Sequence, residues 1–211
     1  MTSAASSRSP TLKEACVTEA LAIIAEQGLE HLSLREVARR LGVSHGAPYR
    51  HFESRDRLLA AVVARCYDAF ARHLDARPAG GDADADLRAM GVAYLDYALS
   101  EPLSYQLMFS TRLPPPTEHP EMMASADHAF GLLRSALARR SPSGSAIEIE
   151  ADALFVWSAL HGLAGTLRSD ILAGLELAPE TVAEAGAHML RRIGAALGHP
   201  ETREQNVAGQ R

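Results

Sequence analysis

The sequence predicts an all-α protein, with a three-helix head ahead of a larger helical-bundle domain. Three observations carry that expectation. Apolar residues recur at spacings of three and four along nearly the whole chain. Runs of β-branched residues are short, and aromatic residues make up only 5% of the chain, which leaves little material for strands. Breaker-rich segments such as RPAGGDADAD, LPPPTEHP and SPSGS fall between the periodic stretches, where helix connections belong.

Taken in order, residues 1–10 (MTSAASSRSP) read as a disordered arm without an apolar leader stretch. A first helix is expected over 12–27, with Leu12, Cys16, Ala20 and Ile24 on one stripe and Gly28 as its stop. Ser33 precedes LREVARRL, and Glu36 follows three residues later, the spacing of a capping box. Leu34, Val37, Ala38 and Leu41 give that second helix its buried face. Gly42 and Val43 make a tight turn, and Ser44 is the expected cap of a short helix running to His51. Ser54 caps a long helix over about 55–76, with Asp56 at its positive end. Further helices are expected over about 86–99, 103–111, 121–140, 147–172 and 179–197. The division is an arm at 1–10, a head at 11–54, a second domain at 55–197 and a flexible tail at 198–211.

Composition narrows the function classes. Cys16 and Cys66 each lie among apolar helical neighbours, and read as buried free thiols in a reducing, cytoplasmic compartment. ADALFVWSALHGLAGTL, the longest apolar run, is too short for a membrane span and contains His161. No metal-ligand spacing occurs, and no cofactor is implied. GxSxG, P-loop and HExxH patterns are missing, so nothing points to an enzyme. The net charge of −5 hides an asymmetry: residues 1–65 carry nine Lys and Arg against seven Asp and Glu, while the rest carry 12 against 19. A locally basic head on an acidic body suits a polyanionic partner.

The head contains SLREVARRLGVSHGAPYRHFESRDRLL. Two short helices joined by a Gly-containing turn are the helix-turn-helix arrangement, whose second helix enters the major groove of double-stranded DNA by its N-terminal part. That places Ser33, Ser44, His45, Gly46, Ala47, Tyr49, Arg50, His51 and Arg55 at the interface. Gly46 and Ala47 allow close approach, and Ala47 suits a thymine methyl. His45 and Arg50 suit a base edge or a phosphate. Tyr49 and His51 suit phosphates, because both donate. The helix start at Arg55 offers free N–H groups to a further phosphate. Phe52 reads as core, and Arg57 and Arg65 as solvated or paired.

Residues 12–63 resemble the N-terminal domain of the TetR family of bacterial repressors. The resemblance rests on SLREVARRLGVS and YRHFESRDRLL. The family pattern has an aromatic, a variable residue, an aromatic or His, Phe, and then a Ser-Lys pair; here these are Tyr49, Arg50, His51, Phe52 and Ser54-Arg55. It implies phosphate contacts by Tyr49 and His51, and Arg55 in the place of the usual Lys. Pro48 departs from the pattern, which carries Leu or another apolar residue there, and bears on where the helix starts. The second half is similar to one C-terminal subtype of the family. Its marker is Trp157, His161 and Gly162, joined by PLSYQLMFS. The resemblance implies an effector pocket, a homodimer through the last two helices, a palindromic operator and a repressor released by a small apolar effector.

For the pocket the candidates are Tyr94, Tyr97, Tyr105, Met108, Phe109, Phe130, Trp157 and His161, with Met122 nearby in kind. Most large apolar side chains in a helical domain are plain core; Tyr97, Tyr105, Trp157 and His161 stand out because each adds a hydrogen-bonding group. Leu160, Leu163, Ala164, Leu167, Ile171, Ala187, Leu190, Ile193, Gly194 and Leu197 are the expected partner surface. Gly162, Gly165, Gly186 and Gly194 are expected to admit close helix packing. The alternative is a DNA-binding regulator or architectural protein that takes no small-molecule effector.

Overall fold

In the computed structural model, residues 10–78, 81–109 and 113–198 are described, and among them every regular element is helical. Of the arm at 1–10 and the tail at 198–211, all but Pro10 and Gly198 lie outside the described residues, as does the expected helix end at Thr111. The α-helices are α1 (Leu12–Gln27), α2 (Leu34–Leu41), α3 (Arg55–Asp75), α4 (Ala83–Ser100), α5 (Pro102–Met108), α6 (Pro120–Arg140), α7 (Ala146–Leu167) and α8 (Pro179–Gly198). The chain divides into two compact units. One takes in the chain up to Ala69 together with Leu103–Asp127, and the other takes in Phe70–Pro102 and the chain from His128 on. The division between the two units falls inside α3.

In the first unit, α1 starts at a capping box: the Thr11 hydroxyl accepts from the Glu14 N–H, and the Thr11 N–H donates to the Glu14 carboxylate at 2.7 Å. The helix buries Cys16, Val17, Ala20, Ile23 and Ile24, a single 3.6-residue face. It stops at Gly28, whose φ of 94° is open to glycine and strained for other residues. Ser33 caps α2 by accepting from the Glu36 N–H at 3.2 Å. The expected reciprocal half of that box is not made, because the Glu36 carboxylate turns to Arg39, with both oxygens taken at 2.8 and 2.6 Å. Arg40 ties α2 to α1 through Glu26 and Glu19. Gly42, at φ 67° and ψ 26°, ends α2 in the left-handed conformation. On α3, Leu58, Leu59, Val62, Val63 and Cys66 are buried. Cys16 and Cys66 are both buried and neither is in a disulfide.

The second unit is built around α4, α7 and α8, which pack pairwise. Asp82 caps α4 and a Ser145–Glu148 capping box opens α7. Charged clamps lie at its margin: Arg77 and Arg139 both hold the Asp86 carboxylate, and Arg140 joins Asp84 to the Leu197 carbonyl. Gly91 of α4 faces α8, where an added Cβ would run into the Leu190 side chain. Of the four glycines expected to permit close packing, Gly186 does so, its added Cβ falling 3.2 Å from Leu95; Gly162, Gly165 and Gly194 face open space. The helix expected over 147–172 ends earlier, at Leu167. Arg168 terminates it, and a separate 3-10 turn follows at Asp170–Gly174.

Candidate nucleic-acid interface and helical-domain aromatic cluster

The segment after Gly42 is not the regular short helix expected over 44–51. Pro48 has no N–H to offer the Ser44 carbonyl, which instead accepts from Ala47 at 2.9 Å. Further tight bonds follow, from Arg50 to Ala47 and from His51 to Pro48, giving a turn and then a 3-10 helix at Pro48–Arg50. The Ser44 carbonyl, and not its hydroxyl, makes the capping bond.

Burial sorts the side chains of this segment. Pro48 and Phe52 are buried, and Ala47 is 9% exposed. Ala47 thus takes part in the head's packing, with little of its methyl left exposed. Ser44, His45, Gly46, Tyr49, Arg50 and His51 remain outside, and Tyr49 is 48% exposed. Nothing within 4 Å would meet a Cβ at Gly46. The side chains of His45, Tyr49, Arg50 and His51 make no hydrogen bond or ion pair among the described residues. They form a run of exposed, uncommitted donors along the chain.

The remaining basic residues of the head are mostly committed elsewhere. Arg55 donates to the Leu32 carbonyl at 3.0 Å and to the Leu29 carbonyl at 2.7 Å, so its guanidinium holds the turn ahead of α2. Ser54 caps α3 by accepting from the Arg57 N–H, which leaves the Arg55 and Asp56 amides at the helix start. Arg57 lies 3.9 Å from Glu53, and Arg65 donates to Thr18 and to the Glu14 carbonyl, as expected of paired residues. Arg35 was not singled out from the sequence. It is exposed in the first turn of α2 beside the half-buried Ser33, and it pairs with no described residue. A cation at the positive end of a helix is unfavourable unless an anion meets it, and that was the missed signal.

The pocket candidates separate between the two units. In the first, Tyr105 and Phe109 meet edge-on at 4.9 Å, Phe109 also meets Tyr67, and Met108 is fully buried. Tyr67 donates to the Met108 carbonyl at 2.7 Å, and burial pushes its phenol up to about 12. In the second, Tyr94 and Tyr97 both pack on Phe70, at 5.4 and 5.2 Å. Phe130, Trp157 and His161 form a chain of ring contacts, and Arg134 lies 5.5 Å over the Phe130 ring. Trp157 and His161 are half-buried, and Tyr94 joins them through its hydroxyl. Burial, with the charge of Arg168, pushes the His161 imidazole below its ordinary value. Leu160, Ala164 and Ile193, expected on a partner surface, lie inside this unit's core.

A helix pair joined at a glycine turn, presenting a run of free donors, defines a DNA-binding regulator of the helix-turn-helix kind. The patterns of known families agree. Residues 17–62 match "Bacterial regulatory proteins, tetR family", and residues 87–193, more than half the chain, match "Tetracyclin repressor-like, C-terminal domain". The chain belongs to the TetR family of transcription regulators. It is 30% identical over 150 residues to the HTH-type transcriptional regulator Rv0681 of Mycobacterium tuberculosis, covering 71% of this chain and 67% of that one. It is 32% identical over 92 residues to Rv1816 of the same species, where it spans 39% of the relative's length. A protein of unknown function from Rhodococcus sp. RHA1 shares the fold, with a TM-score of 0.66 at 24% identity, covering 90% of this chain and 98% of that one. No helix of the described residues is long and apolar enough to cross a membrane.

Proposed function

We propose that the chain is a homodimeric repressor that leaves a palindromic operator when a small apolar effector enters its second domain. The observation that carries this reading is the pair of adjoining strips on α7. One bears Trp157 and His161 beside Tyr94 and Phe130, an apolar lining with polar tips suited to a small molecule. The strip beside it exposes Ile147, Leu154, Phe155, Gly162 and Gly165 without a charge, with Leu154 and Gly165 next to His161 at helical spacing. A helix whose ligand-lining strip borders the strip left for a second protomer gives the ligand purchase on the spacing of two DNA-reading heads. Those heads must lie roughly 34–36 Å apart to engage successive major grooves.

In this reading α7 and α8 form the dimer contact, with Ala187 and Gly194 on α8 and Ile171 beyond α7 replacing the buried Leu160, Ala164 and Ile193. Residues 11–54 read DNA, and 55–197 sense and dimerise in a cytoplasmic setting. Trp157, His161 and Gly162 support the Trp-His-Gly subtype. Tyr49, His51, Ser33 and Ser44 contact phosphates; His45, Gly46 and Arg50 face bases; Ala47 and Arg55 hold the segment's shape. The test selects bound duplexes from a random pool and then screens apolar molecules for release. A two-fold-symmetric operator freed by an apolar ligand, and restored by Trp157→Ala, is expected. Operator binding with no releasing ligand would favour the effector-free alternative.

A further inference from the structure

The first unit contains a cavity of about 290 Å³ that the aromatic clusters do not use and that shares only His51 with the DNA-facing donors. Its walls come from α1 (Lys13), the last of those donors (His51) and the Phe52 that follows it, α3 (Arg57) and the start of α6 (His119, Glu121). The volume lies near the lower edge of ligand pockets, which run from about 300 to 1,000 Å³.

His119 is what marks this cavity as a site. The residue is only 6% exposed, the one histidine among the buried described residues. Its backbone is satisfied: the N–H donates to the Pro116 carbonyl, and its own carbonyl accepts from Met123. Its ring makes no hydrogen bond to any described residue. No buried side-chain nitrogen is left unsatisfied, so the ring nitrogens of this otherwise enclosed residue open onto the cavity it lines and are available to whatever fills it. Beside it α6 begins, a 21-residue helix whose first bonded amide is that of Met123. The Glu121 and Met122 N–H groups have no helical partner, and none among the described residues. Lys13, exposed and unpaired, stands at the rim. Glu53 and Glu121 contribute opposing charge, and Arg57 partly offsets Glu53 at 3.9 Å.

We propose that this cavity binds a small oxyanion-bearing molecule, a carboxylate or a phosphate. The His119 ring N–H and the free α6 amides donate to the oxyanion, and Lys13 supplies the charge. The aromatic cluster of the second unit has a different ligand chemistry, so this site is independent of the effector reading. Because His51 and Phe52 also line it, occupancy reaches the segment that carries Tyr49 and Arg50.

The experiment follows the ring C–H resonances of His119 in the full chain, assigned with His119→Gln. Sodium acetate or inorganic phosphate is titrated at fixed pH and constant ionic strength. Saturating shifts with half-saturation between about 0.1 and 10 mM are expected for at least one anion, weakened at least about fivefold in Lys13→Gln. Saturation by acetate alone identifies a carboxylate site, and by phosphate alone a phosphate site. Shifts that stay linear with both anions, or a half-saturation unchanged in Lys13→Gln, overturn the proposal.

Discussion

The Tyr94 hydroxyl lies 3.4 Å from Nδ1 of His161, joining α4 to α7 inside the second unit. Burial holds that imidazole below its ordinary value near 6.5, so the fold favours the neutral ring. The stability this gives is fully present above the ordinary value, and is lost as pH falls through the lowered one. Urea midpoints measured between about pH 8 and pH 5 should therefore fall, and His161→Gln should flatten the slope. An unchanged slope in the variant would assign the loss to other groups.

Asp86 gives a second, more acidic window. The hydrogen bond from Arg77, with a further one from Arg139, holds its carboxyl below the ordinary 3.8. Its contribution is present above that value and disappears as pH drops below it. Asp86→Asn should lower stability at neutral pH by about 1–2 kcal/mol and leave the acid limb shallower, as read by thermal melts from neutral to acid pH.

At the DNA-facing run, Tyr49→Ala should weaken binding to all duplexes by a similar factor, on the order of tenfold, because a phosphate contact carries no sequence information. Arg50→Ala should instead narrow the gap between operator and random duplex. Arg35→Ala tests the residue that sequence reading passed over: the slope of log affinity against log salt should fall by about one. Fluorescence anisotropy over a salt series reads all three, and an unaltered salt slope would remove Arg35 from the interface.

Arg55 separates architecture from contact. Its guanidinium holds the Leu29 and Leu32 carbonyls while part of it stays in solvent, at 39% side-chain exposure. Arg55→Ala should cost about 1–2 kcal/mol in urea denaturation. Arg55→Lys should recover part of this, since an ammonium cannot reproduce the fork. Full stability in Arg55→Ala would return this residue to the phosphate role.

Gly91→Ala sets two effects against each other. Alanine favours the helix by about 1 kcal/mol, but the new methyl would run into the Leu190 side chain and force it to turn. Overpacking of this sort costs about 1–3 kcal/mol, so a net loss near 1 kcal/mol is expected in chemical denaturation.

Local signals carried the parts of the fold that local chemistry decides. Gly28 and Gly42 stop their helices, and Ser33 and Ser54 cap theirs, because each needs only its neighbours. The Thr11–Glu14 and Ser145–Glu148 boxes had the same legible spacing and were passed over. Glu36 had that spacing too, yet Arg39 captured its carboxylate, a competition that spacing alone does not rank. Pro48 was visible as a departure, but its tightening of the Ser44–Ala47 turn, and the burial of Ala47, depend on the packing beneath. Arg55 and Arg35 exchange their expected prominence for the same kind of reason: the partners of Arg55 lie more than twenty residues away. Which leucines of α7 face outward likewise depends on where α4 and α8 pack.

Cys16 and Cys66 both lie in the first unit, at 0% and 2% exposure, and burial pushes the Cys16 thiol up. A protonated thiol out of reach of solvent is a poor target for alkylating or oxidising reagents. The thiols of the native first unit are thus silent to maleimides, and labelling at either position becomes a clock for how often the structure around it opens.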